Sequence, residues 1–306
     1  MKHRKFVVFV IFLNFLFAFN VAANTLERDT LVNGVSGVSI ETLYKPSVLS
    51  ADAKSLRIVN LQSAVGLPKG AMELFIQHRF GPVSSGAYNW YGIDQSFMRI
   101  GLDYGLSNAF TVGISRSSMN TTADAYMKWQ FVGNKKTEKT VKMAWMSNIT
   151  SDIRTRKNFT QEPYYYSNRL RFVNQLIITK NLSNVLAVGI SPTMVHINLV
   201  DKKTDANDIA VLSGFARLKL NEKYAFTLEV GTPLDIPEFF PKPINTSAYV
   251  PANPYTSVGF DIFTARHIFH LSVSNASSMN EGYLLVADNG KFSESLRFGF
   301  NIVRRW

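Results

Sequence analysis

The chain has 306 residues, a formal net charge of +11, a hydrophobic fraction of 46% and no cysteine. The absence of cysteine excludes disulfides, cysteine metal sites and haem-attachment motifs. The positive charges are scattered and match no basic-helix, zinc-finger or stacking-platform pattern, so the composition does not indicate a nucleic-acid-binding protein.

Residues 1–23 are typical of a secretory signal peptide. Three bases near the N-terminus precede an apolar run over residues 6–19, and Ala22-Ala23 provides a small-residue cleavage site. The run is shorter than the ~20 residues that a membrane-spanning helix needs. We therefore expect export, which removes three bases and no acid and lowers the formal charge from +11 to +8.

Residues 24–70 lack sustained hydrophobic periodicity. Gly, Ser and Asn make up five of the eight residues 32–39, and short apolar patches follow at residues 56–61. Such a segment is too irregular for a spanning strand. We predict that it forms a periplasmic N-terminal extension or a plug folded into the mouth of the following domain.

From residue 71 onward, short segments with strict alternation of apolar and polar residues are separated by turns. Mostly about nine to eleven residues long, they have the length that a tilted strand needs to cross a bilayer. Short turns alternate with longer loops, which indicates antiparallel neighbours. We predict an all-β fold, a transmembrane antiparallel up-and-down β-barrel of about 12 strands over residues 71–306. The predicted strands are 71–80, 95–104, 109–117, 124–132, 140–149, 167–179, 185–198, 208–220, 224–230, 255–265, 268–275 and 295–306.

The last strand has the features of a C-terminal sorting signal of Gram-negative outer-membrane barrels. Phe298, Phe300, Ile302 and the terminal Trp306 fall on one face, and Arg297 falls on the other. In a barrel this strand also pairs with the first one, because lipid does not tolerate an open sheet edge. We expect a location in the cell outer membrane, with the barrel-assembly machinery as a partner during biogenesis and outer-membrane lipid around the barrel.

Charged and polar side chains on the face opposite the apolar one must avoid hydrocarbon, where an Arg or Lys at the midplane costs roughly 2–4 kcal/mol. Nine bases and four acids fall on this inward face. Either they form interior ion-pair ladders that fill the barrel, or they line a narrow wet passage whose positive excess favours anions. The lumen-lining candidates are Glu73, Gln77, Arg79, Arg99, Asp103, Lys128, Lys142, Arg169, Arg171, Arg217, Lys219, Glu229, Asp261 and Arg297.

The start of the barrel resembles a family of Bacteroidota outer-membrane β-barrels of unknown function. The resemblance rests on LPKGAME at residues 67–73 and IQHRFG at residues 76–81, and GIDQ, RIGLDYG and TVGISRS support it at residues 92–95, 99–105 and 111–117. It covers residues 55–117 clearly, and it implies a fold and a cell location but no reaction or ligand. Phe75 lies at an inward position where a polar residue is expected, which favours a filled lumen near the first strand.

Neither catalysis nor metal binding has a strong signature. A barrel lipid-modifying enzyme would need a Ser–His pair with an orienting group, and no serine is clearly placed against His78, His196, His267 or His270. Since His267 and His270 are three apart, they fall on opposite faces of a strand. Asp201, Asp205 and Asp208 lack the pattern of a calcium loop. We expect no enzyme activity, no cofactor and no metal.

The sequence therefore predicts a small, anion-leaning diffusion channel or transport accessory. The alternative is a non-conducting structural or assembly component of an envelope complex, and an outer-membrane lipid-modifying enzyme is more remote. Aromatic loops at residues 88–91, 164–166 and 239–249, or the N-terminal extension, would contact an envelope protein partner. The alternative is that these loops only cap the barrel at the membrane interface.

Overall fold

A computed structural model describes residues 55–133, 141–155, 164–200, 205–234, 253–287 and 289–306. The predicted signal peptide, most of the predicted N-terminal extension and one predicted aromatic loop, residues 239–249, lie outside these ranges. In the described part of the chain, no helix has the length and apolar character required to cross a membrane.

Twelve antiparallel strands close into one up-and-down barrel, in which each strand pairs with its neighbours in sequence. The predicted fold class is confirmed, and the observed strand ends differ from the predicted ones by a few residues. The strands are β1 Met72–Pro82, β2 Ser96–Gly105, β3 Phe110–Ser117, β4 Thr122–Val132, β5 Val141–Asp152, β6 Leu170–Asn181, β7 Leu186–Ile197, β8 Asp208–Lys219, β9 Tyr224–Leu234, β10 Tyr255–Phe263, β11 His267–Ser274 and β12 Arg297–Arg305.

Alternating side chains give each strand an apolar outer face and a polar inner face, as the period of two requires. In β2, Ile100 and Leu102 point outward and are 40% and 36% exposed, whereas Arg99 and Asp103 on either side of them are fully buried. A one-residue slip would expose these charges to lipid. The alternation therefore fixes the register of the barrel wall.

The barrel closes where β1 pairs with β12, from Glu73 opposite Arg305 to Arg79 opposite Gly299. On the inner face, Arg305 donates to the Glu73 carboxylate from Nε at 2.9 Å. On the outer face, the rings of His78 and Phe300 stack with centroids 5.0 Å apart. The last strand thus leaves no open edge.

The two ends of the barrel differ in their connections. The short-turn end carries both the approach to β1 and the C-terminus, together with the turns at residues 106–109, 182–185, 220–223 and 264–266. The long-loop end carries the connections at residues 83–95, 118–121, 153–169 and 275–296. Within the described ranges, short 3-10 helices lie at Val83–Ser85, Ala87–Gly92, Met119–Thr121 and Tyr166–Arg169. A short α-helix, α1, lies at Glu281–Leu284.

Candidate functional site in the barrel lumen

In the part of the chain that the structure describes, two segments that are not part of the wall lie inside the barrel. We call residues 55–63 the inner hairpin; they enter from the short-turn end, since residues 67–70 contact that end. We call residues 275–287 the inserted loop; it contains α1 and enters from the long-loop end. Leu56, Ile58 and Val59 of the inner hairpin and Ala276 and Leu284 of the inserted loop are fully buried. Both segments therefore occupy the lumen.

The inner hairpin consists of two short antiparallel arms joined by a tight turn. Arg57 and Gln62 form a bridge, the Ile58 N–H donates to the Leu61 carbonyl at 2.9 Å, and the Ser63 N–H donates to the Leu56 carbonyl at 2.8 Å. These bonds satisfy part of the hairpin backbone internally. The remaining N–H groups at its tip must find acceptors elsewhere, because a buried unpaired N–H is costly.

Glu229 of β9 supplies those acceptors. Its Oε1 accepts from the backbone N–H groups of Val59, Asn60 and Leu61 at 2.7, 3.0 and 3.0 Å. The Tyr255 hydroxyl donates to the other carboxylate oxygen. Three convergent amides around one carboxylate form an anion-binding nest, so Glu229 holds the tip of the inner hairpin against the wall.

A second anchor lies at Arg57, on the first arm of the hairpin. Its guanidinium pairs with Asp103 of β2, with Nη1 2.5 Å from Oδ2. It also lies over the ring of Phe75, 3.9 Å from the centroid. Tyr126 donates a hydrogen bond to the same Asp103 at 2.7 Å. The unexpected inward Phe75 is thus the platform on which the hairpin arginine stacks.

Arg99 of β2 connects the wall to the inserted loop. Its Nη2 lies 2.8 Å from Asp124 of β4 and 3.1 Å from Glu281 of α1, and its Nη1 donates to the Met279 carbonyl at 2.7 Å. Burial by itself raises the pKa of the Glu281 carboxyl, but Arg99 and Arg57 outweigh it and hold that pKa below its usual value. Glu281 is therefore ionised in the closed lumen.

The two occupants also touch each other. Gln62 of the inner hairpin donates to Glu281 of the inserted loop at 3.0 Å, and both segments contribute to one apolar cluster through Leu61, Leu284 and Leu285. Arg171 of β6 covers the loop from the long-loop end, with its guanidinium 3.8 Å from the centre of the Tyr283 ring. The lumen is thus closed by two segments that contact each other near its middle.

The structure places all the predicted lumen-lining residues at the inner side of the wall or its ends. Glu73, Gln77, Arg79, Arg99, Asp103, Lys128, Arg217, Glu229 and Asp261 are buried. Partial exposure is found for Lys142, Arg169, Arg171, Lys219 and Arg297, which lie close to strand ends. Of the predicted sorting signal, Phe298, Phe300 and Ile302 lie on the outer face of β12, and the exposed Trp306 directly follows the strand. Their role in sorting stays a prediction.

Several charged residues of the lumen were missed by sequence reasoning. Arg57 and Glu281 belong to segments without hydrophobic periodicity. Asp124 and Asp152 lie near strand ends, at alternating positions that face the lumen, so the period of two could have identified them. Among the described residues, the buried charged side chains comprise five bases and seven acids. The predicted inward excess of positive charge is therefore absent from the closed core of the lumen.

As predicted from their spacing, His267 and His270 lie on opposite faces of β11, and the buried one is His270. His270 is 1% exposed, because every second residue of β11 faces the lumen and His270 is one of these. Its Nδ1 lies 2.7 Å from Asp261 Oδ1. Arg217 Nε approaches the other oxygen of Asp261 at 3.1 Å. His196 lies on the outer face beside Asp208, at 2.7 Å. Within the described ranges no group of three or more potential ligand side chains is arranged to hold a metal ion.

Solved structures of known proteins provide comparisons for this barrel. It is similar to the NanC porin, with 10% identity, 76% of this chain and 98% of that chain covered, and a TM-score of 0.45. For the KdgM porin the corresponding values are 8%, 76%, 98% and 0.45. For an outer membrane channel from Pseudomonas putida F1 they are 13%, 81%, 100% and 0.48.

No curated protein matches the chain. Residues 54–306 match a family described as a membrane bound beta barrel domain, DUF5777, and this match spans the whole described barrel together with its inner hairpin. The chain therefore belongs to this family of membrane-bound β-barrels of unknown function.

Proposed function

We propose that the protein is an outer-membrane channel that the inner hairpin and the inserted loop hold closed, and that opens when the inner hairpin leaves the lumen. The observation that carries this proposal is the docking of the hairpin tip on Glu229 through three backbone amides. The tip is held by polar contacts to the wall, and it is not itself a strand of the wall.

The size of the barrel supports a removable closure. Eight strands leave an interior just filled by wall side chains, whereas much larger barrels leave an aqueous channel. The twelve strands found here are intermediate, and the space that the wall leaves is taken by two additional segments. Withdrawal of one of them would leave a passage without any change in the wall.

The chemistry of the closure supports the same proposal. Buried ion pairs contribute little net stability, and well-packed apolar residues of similar volume often replace them without loss. A permanently filled barrel does not require the salt bridges of Arg57 with Asp103 and of Arg99 with Glu281. Polar partners of this kind exchange protein contacts for water when the segments separate, so they suit a lumen that is at times wet.

We further propose that the open channel prefers anions. This preference comes from the charges of the inward-facing wall side chains and not from those buried in the closed lumen. The inward side of the described wall and its ends carries ten bases and six acids: the nine predicted bases with Arg305, and the four predicted acids with Asp124 and Asp152. Once the hairpin withdraws, this surplus faces the passage. Positive charge along a narrow passage attracts anions.

The outer-membrane location belongs to the same proposal. It is supported by the membrane-bound barrel family, the predicted signal peptide and the aromatic C-terminus of β12. Outer-membrane lipid and the barrel-assembly machinery then follow as partners, and a periplasmic or envelope protein that withdraws the hairpin is a further one.

A non-conducting scaffold is the second candidate, and the tight burial of the lumen favours it. Arg79, Arg99 and Arg217 are all 0% exposed, which leaves no continuous passage past them. In that case the occupants would serve to make the barrel rigid, and the loops at the long-loop end would contact the partner.

Single-channel conductance in a planar bilayer separates the two candidates. Refolded residues 24–306 should be silent or open rarely, and a variant without residues 24–66 should give discrete steps. Under a salt gradient, the reversal potential of that variant should indicate anion preference, which should weaken with Arg169→Ala and Arg171→Ala. Heat-modifiable gel mobility serves as the folding control. Silence of a folded deletion variant would favour the scaffold.

A further inference from the structure

Exposed charges are distributed unequally between the two ends of the barrel. In the described part of the chain, the long-loop end has a mixed set: Arg116, Arg154, Lys291, Asp94 and Glu294. At the short-turn end, the described residues include five exposed bases and one exposed acid, and these are Lys69, Lys180, Lys223, Arg266, Arg304 and Glu222. The acid is matched by a further base, because Lys219 Nζ lies 2.5 Å from Glu222 Oε1.

These five bases lie at the level of the lipid headgroups. Tyr104, Tyr224 and Trp306 point outward at the same end and are 42%, 38% and 42% exposed. Amphipathic rings of this kind settle where hydrocarbon meets headgroups. Lys223 directly precedes Tyr224, and the Arg304 guanidinium lies 5.1 Å from the centre of the Trp306 ring. The bases therefore lie next to the membrane surface.

The bases also form a continuous arc around the barrel. Lys69 precedes β1, Arg304 lies in β12, Arg266 lies in the turn between β10 and β11, Lys223 lies in the turn between β8 and β9, and Lys180 lies near the end of β6. Because β1 pairs with β12, these positions follow one another along more than half of the rim. We call this set the basic arc.

We propose that the basic arc binds the headgroups of anionic phospholipids in the leaflet at the short-turn end. Charge complementarity selects this occupant, since exposed bases at a membrane surface attract anionic lipids. Among the described residues, the mixed charges of the long-loop end offer no comparable site. The arc thereby fixes the height and the orientation of the barrel in its bilayer.

Quenching of tryptophan fluorescence by brominated lipid tests this proposal, because Trp306 lies beside Arg304 of the arc. Trp129 and Trp145 lie on β4 and β5, outside the arc, and are replaced by Phe. Trp90 at the other end is likewise replaced by Phe in every protein compared. The barrel is refolded into phosphatidylcholine vesicles with a fixed fraction of brominated phosphatidylglycerol or brominated phosphatidylcholine. The arc variant carries Lys180→Gln, Lys223→Gln, Arg266→Gln and Arg304→Gln, and the matched control carries Arg116→Gln, Arg154→Gln and Lys291→Gln.

We expect the parent protein to associate with phosphatidylglycerol at least about twofold more strongly than with phosphatidylcholine. The arc variant should lose this preference, the control should keep it, and added salt should reduce it. Inorganic phosphate in solution should not reduce it beyond the effect of equal ionic strength. Equal quenching by both lipids in the parent protein would overturn the proposal, as would an undiminished preference in a folded arc variant.

Discussion

Replacement of Arg99 by methionine is expected to lower the free energy of unfolding by about 3–5 kcal/mol, since removal of one partner leaves buried charges uncompensated. Arg99 neutralises both Asp124 and Glu281, at 2.8 and 3.1 Å, and all three side chains are nearly inaccessible to solvent. Urea unfolding of the lipid-reconstituted barrel, followed by tryptophan fluorescence, measures the loss.

Two further variants test the cause of that loss. Arg116→Met removes an arginine of the neighbouring strand that is exposed, and it should change stability by no more than about 0.5 kcal/mol. Adding Asp124→Asn and Glu281→Gln to Arg99→Met removes the unpaired charges and should restore part of the stability. If Arg116→Met and Arg99→Met had equal effects, the buried ion-pair network would not hold the barrel together.

Replacement of Glu229 by alanine is expected to release the tip of the inner hairpin. Val59, Asn60 and Leu61 would lose the acceptor of their N–H groups, and each buried donor left unpaired costs about 1–3 kcal/mol. Hydrogen exchange of the peptide covering residues 55–63 should therefore accelerate by about 10- to 100-fold, as measured by mass spectrometry.

Glu222→Ala is the matched control for this exchange experiment, because Glu222 precedes the same strand but is exposed and contacts Lys219. It should leave the exchange of residues 55–63 unchanged. Glu229→Gln keeps one acceptor oxygen, so its effect should fall between those of the wild type and Glu229→Ala. Unchanged protection in Glu229→Ala would show that the nest does not hold the hairpin.

The barrel wall could be predicted from the sequence because the residues within each strand show which of its faces points outward. Ile100 and Leu102 alternate with Arg99 and Asp103 over a few residues, and this local pattern fixes both the period and the face. The closing pair of β1 and β12 follows from the requirement that lipid meets no open edge. The fold, and which residues of each strand face the lumen, can thus be predicted from short stretches of sequence.

The contents of the lumen could not be predicted in the same way. Arg99 and Glu281 are separated by 182 positions, and Val59 and Glu229 by 170, so no local period connects them. Residues 55–63 satisfy their backbone partly within a tight turn and partly through wall side chains, and therefore show no strand pattern. Phe75 was the one local sign, since an inward aromatic residue needs a partner to cover it.

The most direct test of the closed channel is a reversible tether between the inner hairpin and the wall. A Cβ atom at Gly259 would lie 2.7 Å from Val59 Cγ2, which is within disulfide reach, and the chain has no other cysteine. Val59→Cys and Gly259→Cys are introduced into Glu229→Ala, together with Thr227→Ala to make room at Gly259.

Glu229→Ala with Thr227→Ala alone is the reference, and it should conduct in both redox states. The tethered protein should be silent when oxidised and should conduct after reduction in the same bilayer. Equal conductance in both states would contradict closure by the inner hairpin.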